Sequence, residues 1–195
     1  MIISYDSDRR IFKPSLVFLC GFMAAGKTTV GRILARQIGF NFIDIDEMIE
    51  SSCSKTIPEI VKQFGFSFIR RSERMMIKDL STRKDFVISC GGGLYPTAEL
   101  EPVFSKGLSV FLNADEDIMT ERILKNLPAY PKLAKCSSNE DARKEISRLL
   151  GNRRKFYEKC LLQVHFRDIP PEVIAGHIMR MMDFQLKRIS EQQKH

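Results

Sequence analysis

The sequence predicts an α/β fold in three layers, with a five-stranded parallel sheet covered by helices on both faces. Three observations carry this reading. Short apolar runs at residues 16–20, 86–89 and 108–112 have strand length and no polar alternation, as strands buried on both faces require. Between them lie segments with apolar residues three and four apart, the period of a helix packed on a core. A glycine-rich turn at residues 21–28 joins the first run to the first such helix. Alternating strands and helices close most simply as a parallel sheet with helical crossovers.

Taken in order, the first strand is Leu16-Val17-Phe18-Leu19-Cys20. The helix after the glycine turn carries Val30, Ile33, Leu34 and Ile38, and Gly39 is placed to stop it. Asn41-Phe42-Ile43-Asp44 reads as a second strand ending in Asp44 and Asp46. Thr56-Ile57-Pro58-Glu59 has capping-box spacing before Ile60, Val61 and Phe64, and Gly65 ends that helix. A longer helix follows, with Phe68, Ile69, Ser72, Met76 and Leu80 on one side. Arg70, Glu73 and Arg74 lie on another face, where Arg70 and Glu73 can meet. Phe86-Val87-Ile88-Ser89 is the third strand and runs into Cys90-Gly91-Gly92-Gly93. The fourth, at 108–112, is followed by an acidic helix start at Asn113-Ala114-Asp115-Glu116. Residues 127–139, with Pro128 and Pro131, read as a loop. Ser138 and Asp141 suit the start of a helix burying Ile146, Leu149 and Leu150, with Arg153 and Tyr157 on one face near its end. Residues 161–166 form the fifth strand. A last helix after Pro170-Pro171 buries Ile174, Ile178, Met181 and Met182, and the tail from Ser190 is expected to fray.

The organisation expected is one domain over 15–183 with a lid at about 125–139, an N-terminal extension at 1–14 and a polar tail at 184–195. The chain has 195 residues, 44% of them hydrophobic and 28% charged, which suits a soluble globular domain. No apolar run approaches the roughly 20 residues of a membrane span, and residues 1–14 lack an apolar signal core, so a cytoplasmic location is expected. Five scattered cysteines without C-x-x-C spacing argue against a disulfide framework or a structural zinc site. Cys90, beside the glycines, is the one to watch. The net charge of +7 is dispersed apart from Arg70-Arg71 with Arg74 and Arg153-Arg154-Lys155. It carries no nucleic-acid signature, and most of it reads as solvated surface.

Gly21-Phe22-Met23-Ala24-Ala25-Gly26-Lys27-Thr28 matches the phosphate-cradling pattern of two glycines with four residues between them, then Lys and Ser/Thr. Its glycines let backbone N–H groups approach phosphate oxygens, Lys27 supplies a compact charge, and the Thr28 hydroxyl suits Mg²⁺. The helix that follows adds its positive N-terminal end. The candidate nucleotide-binding set is Gly21, Ala24, Ala25, Gly26, Lys27, Thr28 and Thr29. Elsewhere two readings stand side by side. Asp46 is either a helix cap or a ligand group at a strand end. Arg70 and Glu73 form either a surface ion pair or a held fork for a carboxylate. The three glycines are either a flexible turn or backbone laid against a ligand.

These motifs in this order resemble the shikimate kinase family: the residue 21–32 loop and helix start, Asp44-Ile45-Asp46, Arg70 and Glu73, Ser89-Cys90-Gly91-Gly92-Gly93, and Arg153 four before Tyr157. The likeness runs from about residue 16 to 166. It implies a P-loop kinase that moves the ATP γ-phosphoryl group to the 3-hydroxyl of shikimate, a small carboxylate-bearing polyol, with no nucleic-acid or membrane partner and as a monomer. Lys27 and Thr28 would hold phosphate and Mg²⁺, with Asp44 acting through the metal's water shell. Asp46 would bind a substrate hydroxyl and accept its proton, making Lys27 and Asp46 the catalytic pair. Arg70, Arg153, Gly92 and Gly93 would hold the substrate, and Arg122 would lie against adenine. Two stretches depart from the family pattern. Its lid Arg-Pro-Leu-Leu reads Tyr130-Pro131-Lys132-Leu133, and its Gly-Glu-x-x-Phe-Arg reads Gly65-Phe66-Ser67-Phe68-Ile69-Arg70. Lys132, Lys135 or Lys125 are the candidates to replace the lid cation. The departures also suit a kinase of another hydroxy acid, or a nucleotide-binding regulatory protein.

Overall fold

The computed structural model describes residues 3–5 and 12–192, with side chains over 14–182. Five parallel strands form the central sheet: β3 (Leu16–Cys20), β4 (Asn41–Asp44), β5 (Phe86–Ser89), β6 (Leu108–Ala114) and β7 (Leu162–Phe166), in the order β4-β5-β3-β6-β7. The expected sheet is present, and β6 runs two residues further than its apolar core. Before it, β1 (Ile3–Tyr5) and β2 (Phe12–Pro14) pair antiparallel as a separate two-stranded sheet. This pairing was not expected within the 1–14 extension, whose other residues lie outside those described.

Helices cover both faces. Alternate residues of β3 feed the two halves of the core, as the two-residue repeat of a strand demands. Val17 and Leu19 pack with Val30, Leu34, Ile174 and Ile178 of α1 (Lys27–Ile38) and α7 (Pro171–Gln192). Leu16, Phe18 and Cys20 pack on the other side with residues of α2 (Ile45–Cys53), α3 (Ile57–Leu80) and α6 (Asn139–Tyr157). Two more helices, α4 (Glu101–Phe104) and α5 (Glu116–Lys125), flank β6 in sequence; α4 has no counterpart among the sequence expectations. Helix α7 continues through Gln192, so residues 190–192 are helical rather than frayed, and 193–195 lie outside the described residues.

Gly65 does what its position suggested, within one continuous element. Its φ of 75° and ψ of 171° break the helix, so α3 is two helices meeting at a kink. A side chain would be strained there, and glycine is not. Beside the kink Phe64 is 46% exposed and stacks on Phe68, while Ile77, absent from the expected stripe, is fully buried. Thr56 and Glu59 form the expected capping box. At α6, Ser138 is the N-cap and accepts from the Asp141 N–H, whereas Asp141 itself accepts from Ser137.

Candidate active site

The carboxyl ends of β3, β4 and β5 lie side by side and deliver the three motifs to one edge of the sheet. After β3 the chain turns at Gly26, whose φ of 85° is left-handed, and enters α1 with no side-chain cap. The first N–H groups of α1 therefore remain available to an anion, and the helix dipole favours one. Lys27 is buried beneath the turn and donates to the Phe22 carbonyl at 2.9 Å. Burial lowers its pKa, opposed by the charges of Asp46 and Asp44.

Asp44 is the N-cap of α2, accepting from the N–H groups of Asp46 at 2.9 Å and Glu47 at 3.4 Å. The cap is thus Asp44 and not Asp46. The second Asp44 oxygen takes the Thr28 hydroxyl at 2.6 Å, joining the ends of β3 and β4. With its capping duty filled by its neighbour, the Asp46 side chain faces the site. Burial, then the carboxylates of Glu73 and Asp44, push its pKa up to about 7, with Lys27 and Arg70 pulling the other way.

Glu73 is 2% exposed and pairs with Arg70, so the surface ion-pair reading fails. The glycine run explains why these groups lie so close. A Cβ at Gly91 would sit 2.7 Å from Asp46 Oδ1 and closer still to Glu73 Oε1. A Cβ at Gly93 would overlap the Arg70 guanidinium. The Gly92 carbonyl accepts from Arg153 Nη1 and from the Tyr157 hydroxyl, each at 2.7 Å. Arg153 is only 7% exposed and its guanidinium lies 5.4 Å over the Phe22 ring, tying the first loop to the third.

Two adjoining clefts result. One, about 500 Å³, is lined by Ala24, Ala25, Gly26, Lys27, Thr28, Thr29, Asp44 and Arg122. The other, about 460 Å³, is lined by Arg70, Glu73, Gly92, Gly93 and Arg153, with the residue 126–132 lid as its roof. Asp46 and Gly92 line both, together with Met23 and Tyr130. Both sizes suit small-molecule ligands. Of the candidate lid cations Lys132 lines the second cleft, and Lys125 and Lys135 line neither; the other candidate residues come together here except for Gly21. Gly21 is turned away from the clefts, and a Cβ on it would meet the Leu112 carbonyl at 2.8 Å, so it serves the packing of the loop on β6.

The family model described as shikimate kinase matches residues 23–183. The chain belongs to the shikimate kinase family. It is 35% identical over 165 residues to a shikimate kinase of Thermodesulfovibrio yellowstonii, covering 84% of this chain and 92% of that one. It is equally identical to the Aquifex aeolicus shikimate kinase over 166 residues, covering 85% and 95%. Among solved structures it is similar to the Acinetobacter baumannii shikimate kinase in complex with shikimate, with a TM-score of 0.79 and 28% identity over 86% of this chain and 92% of that one. The Aquifex aeolicus enzyme superposes with a TM-score of 0.71 at 34% identity, covering 84% and 94%. Kinases of this family are ATP-dependent phosphotransferases acting on a hydroxyl group.

The lid at residues 126–132 roofs the second cleft. It folds as two 3₁₀ turns, Leu127–Ala129 and Pro131–Leu133, with Leu133 buried as an anchor. Tyr130 is half-buried at the junction of the clefts. Among the described residues, the cation reaching over the nucleotide loop is Arg122, whose Nη1 donates to the Ala24 carbonyl at 3.3 Å. Cys90 is fully buried and free, as are Cys20 and, nearly, Cys160; burial and those two neighbouring thiols raise the Cys20 pKa. Such thiols are inert packing groups. No helix among the described residues is long and apolar enough to cross a membrane.

Sequence reasoning gave Gly91 and Tyr157 no individual role. Gly91 is fixed by close approach to two carboxylates that are remote in sequence, and only three-dimensional contact reveals it. Tyr157 had a visible cue, four residues after Arg153. Replacing Tyr157 with Phe removes one of two donors on the Gly92 carbonyl and leaves Arg153. Unfolding by urea is expected to show a loss of about 1 kcal/mol with an unchanged slope.

Proposed function

We propose that this protein transfers the γ-phosphoryl group of ATP to the 3-hydroxyl of shikimate. The observation that carries the reading is the position of Asp46: its carboxylate lines both the phosphate-cradling cleft and the cleft walled by Arg70 and Arg153. A hydroxyl bound at that junction faces the terminal phosphate of a nucleotide held over residues 24–28. Phosphoryl transfer needs in-line positioning and charge neutralisation more than covalent help. The acceptor oxygen bonds to the γ-phosphorus, the bond to the ADP oxygen breaks, and the hydroxyl proton passes to Asp46. A carboxyl titrating near 7 suits that duty.

Arg70 and Arg153 provide planar forks for the acceptor's carboxylate, and the backbone at Gly92 and Gly93 faces its ring hydroxyls. Lys27 and the N-terminus of α1 hold the β- and γ-phosphates, and Arg122 lies on the adenine side of the loop. The Thr28 hydroxyl and Asp44 carboxylate, 2.6 Å apart at the cleft wall, offer two hard oxygens. That small donor set fits Mg²⁺, which keeps several waters and takes phosphate oxygens rather than a full protein cage. Held there, the ion would supply neutralisation of phosphate charge. We assign its work to a monomer in the cytoplasm.

ADP release by the purified protein with ATP and Mg²⁺ tests the reading. Turnover is expected with shikimate and not with hydroxy acids that lack its ring. Turnover with another acid alone, or none despite ATP binding, overturns it.

A further inference from the structure

Lys132 is the lid residue whose surroundings say which ligand it meets. It lines the cleft of Arg70 and Arg153 and is absent from the wall of the nucleotide cleft, which the lid reaches through Tyr130. It also borders a third cleft of about 400 Å³, again beside Arg70, Arg153 and Gly93. Its ammonium stands 5.5 Å over the Phe66 ring, across the mouth of the cleft. That contact fixes the end of an otherwise flexible side chain at the roof, worth about 1 kcal/mol at a half-exposed site. The residues that depart from the family pattern on the lid and on α3 are thus in contact with each other.

We propose that Lys132 is a third acceptor-binding cation, closing over the substrate carboxylate opposite Arg70 and Arg153 rather than serving the transferring phosphate. This rests on the proposed reaction and adds a specificity residue to it. The charges facing Lys132 support the assignment. Arg70 and Glu73 face it from α3, and Arg153, Arg148 and Glu145 from α6. Glu73 is already paired to Arg70 and Glu145 to Arg148; Asp46 and Glu50 line the same cleft from α2, but the charges that act most strongly on Lys132 are the cations Arg153 and Arg70. Burial first, then Arg153 and Arg70, lower the Lys132 pKa to about 8. An anion placed among these groups relieves the repulsion and raises that pKa again. A carboxylate is therefore gripped more weakly as pH rises through 8.

Steady-state kinetics with shikimate varied at saturating ATP, from pH 6.5 to 9.5, test this. In Lys132→Met, KM for shikimate is expected to rise about tenfold or more, with kcat within about threefold and the KM for ATP unchanged. The rise of the wild-type KM above pH 8 is expected to vanish in Lys132→Met and to move to higher pH in Lys132→Arg, which retains tight binding. A fall in kcat at unchanged shikimate KM would place Lys132 on the phosphates and overturn the proposal, as would unchanged constants throughout. Absence of shikimate turnover in the unsubstituted protein would instead refute the reaction itself, so the two failures are distinct.

Discussion

Asp46→Asn is expected to lower kcat by roughly 100- to 10,000-fold, the range for losing a general base, while making the protein more stable. The two effects share one cause. The Asp46 carboxyl is held at about 7, against 3.8 for an unhindered group, because burial and the neighbouring carboxylates of Glu73 and Asp44 disfavour its charge. The sign follows directly. Below the unfolded value both states are protonated and the group has no effect on stability. As pH rises from about 4 to 7 the unfolded chain ionises first, so the folded state loses ground, and above 7 the penalty is complete. A shift of this size corresponds to on the order of 4 kcal/mol. Asn therefore leaves stability nearly unchanged at pH 4 and raises it at pH 8, readable as a shift in urea midpoint. In the wild type kcat/KM rises with pH through about 7, and this limb is absent in Asp46→Asn. Equal stability of the two proteins at pH 8 would show that Asp46 is not held under strain of charge.

Arg70→Met is expected to damage both folding and binding. It leaves the Glu73 carboxylate, 2% exposed, without its partner on α3. Breaking one side of such a buried pair typically costs about 3–5 kcal/mol, much of it from the stranded charge. Asp46 also loses an attractive cation and titrates higher still. Binding of a carboxylate acceptor weakens by about 100-fold through loss of a bidentate contact. The double substitution Arg70→Met with Glu73→Gln separates the effects. Removing the stranded charge restores most of the stability, and affinity stays low. If stability does not return, Arg70 supports α3 by packing rather than by its charge.

Much of this site was legible in the sequence because its parts obey local rules. The phosphate loop needs residues adjacent in sequence, and β3 and β5 are apolar runs whose ends are marked by glycine. The helix stop at Gly39 and the break at Gly65 follow from the left-handed conformations found there. What was hidden depends on contacts between distant residues. Which of Asp44 and Asp46 caps α2 is set by where the helix begins, a matter of one residue that periodicity does not resolve. The depth of Glu73 depends on the backbone of residues 91–93 closing over it. Which residues after Gly65 are deepest depends on what packs against α3, so Ile77 is fully buried although it lies outside the expected stripe. The pairing of β1 with β2 involves strands of three residues each, too short for their alternation to stand out in a mixed polar segment. The Lys132–Phe66 contact joins two positions 66 residues apart, and sequence shows only that both are unusual.

The geometry makes one demand that product analysis can meet or refute. With the carboxylate of shikimate on Arg70 and Arg153 and the acceptor hydroxyl at Asp46, as proposed, a single hydroxyl would face the nucleotide. Phosphorus and carbon NMR of the completed reaction with ATP, Mg²⁺ and shikimate should show one phosphomonoester, on the 3-hydroxyl, formed in step with ADP. A mixture of esters, a different ester, or ADP and free phosphate with shikimate unchanged would contradict the arrangement of residues described here.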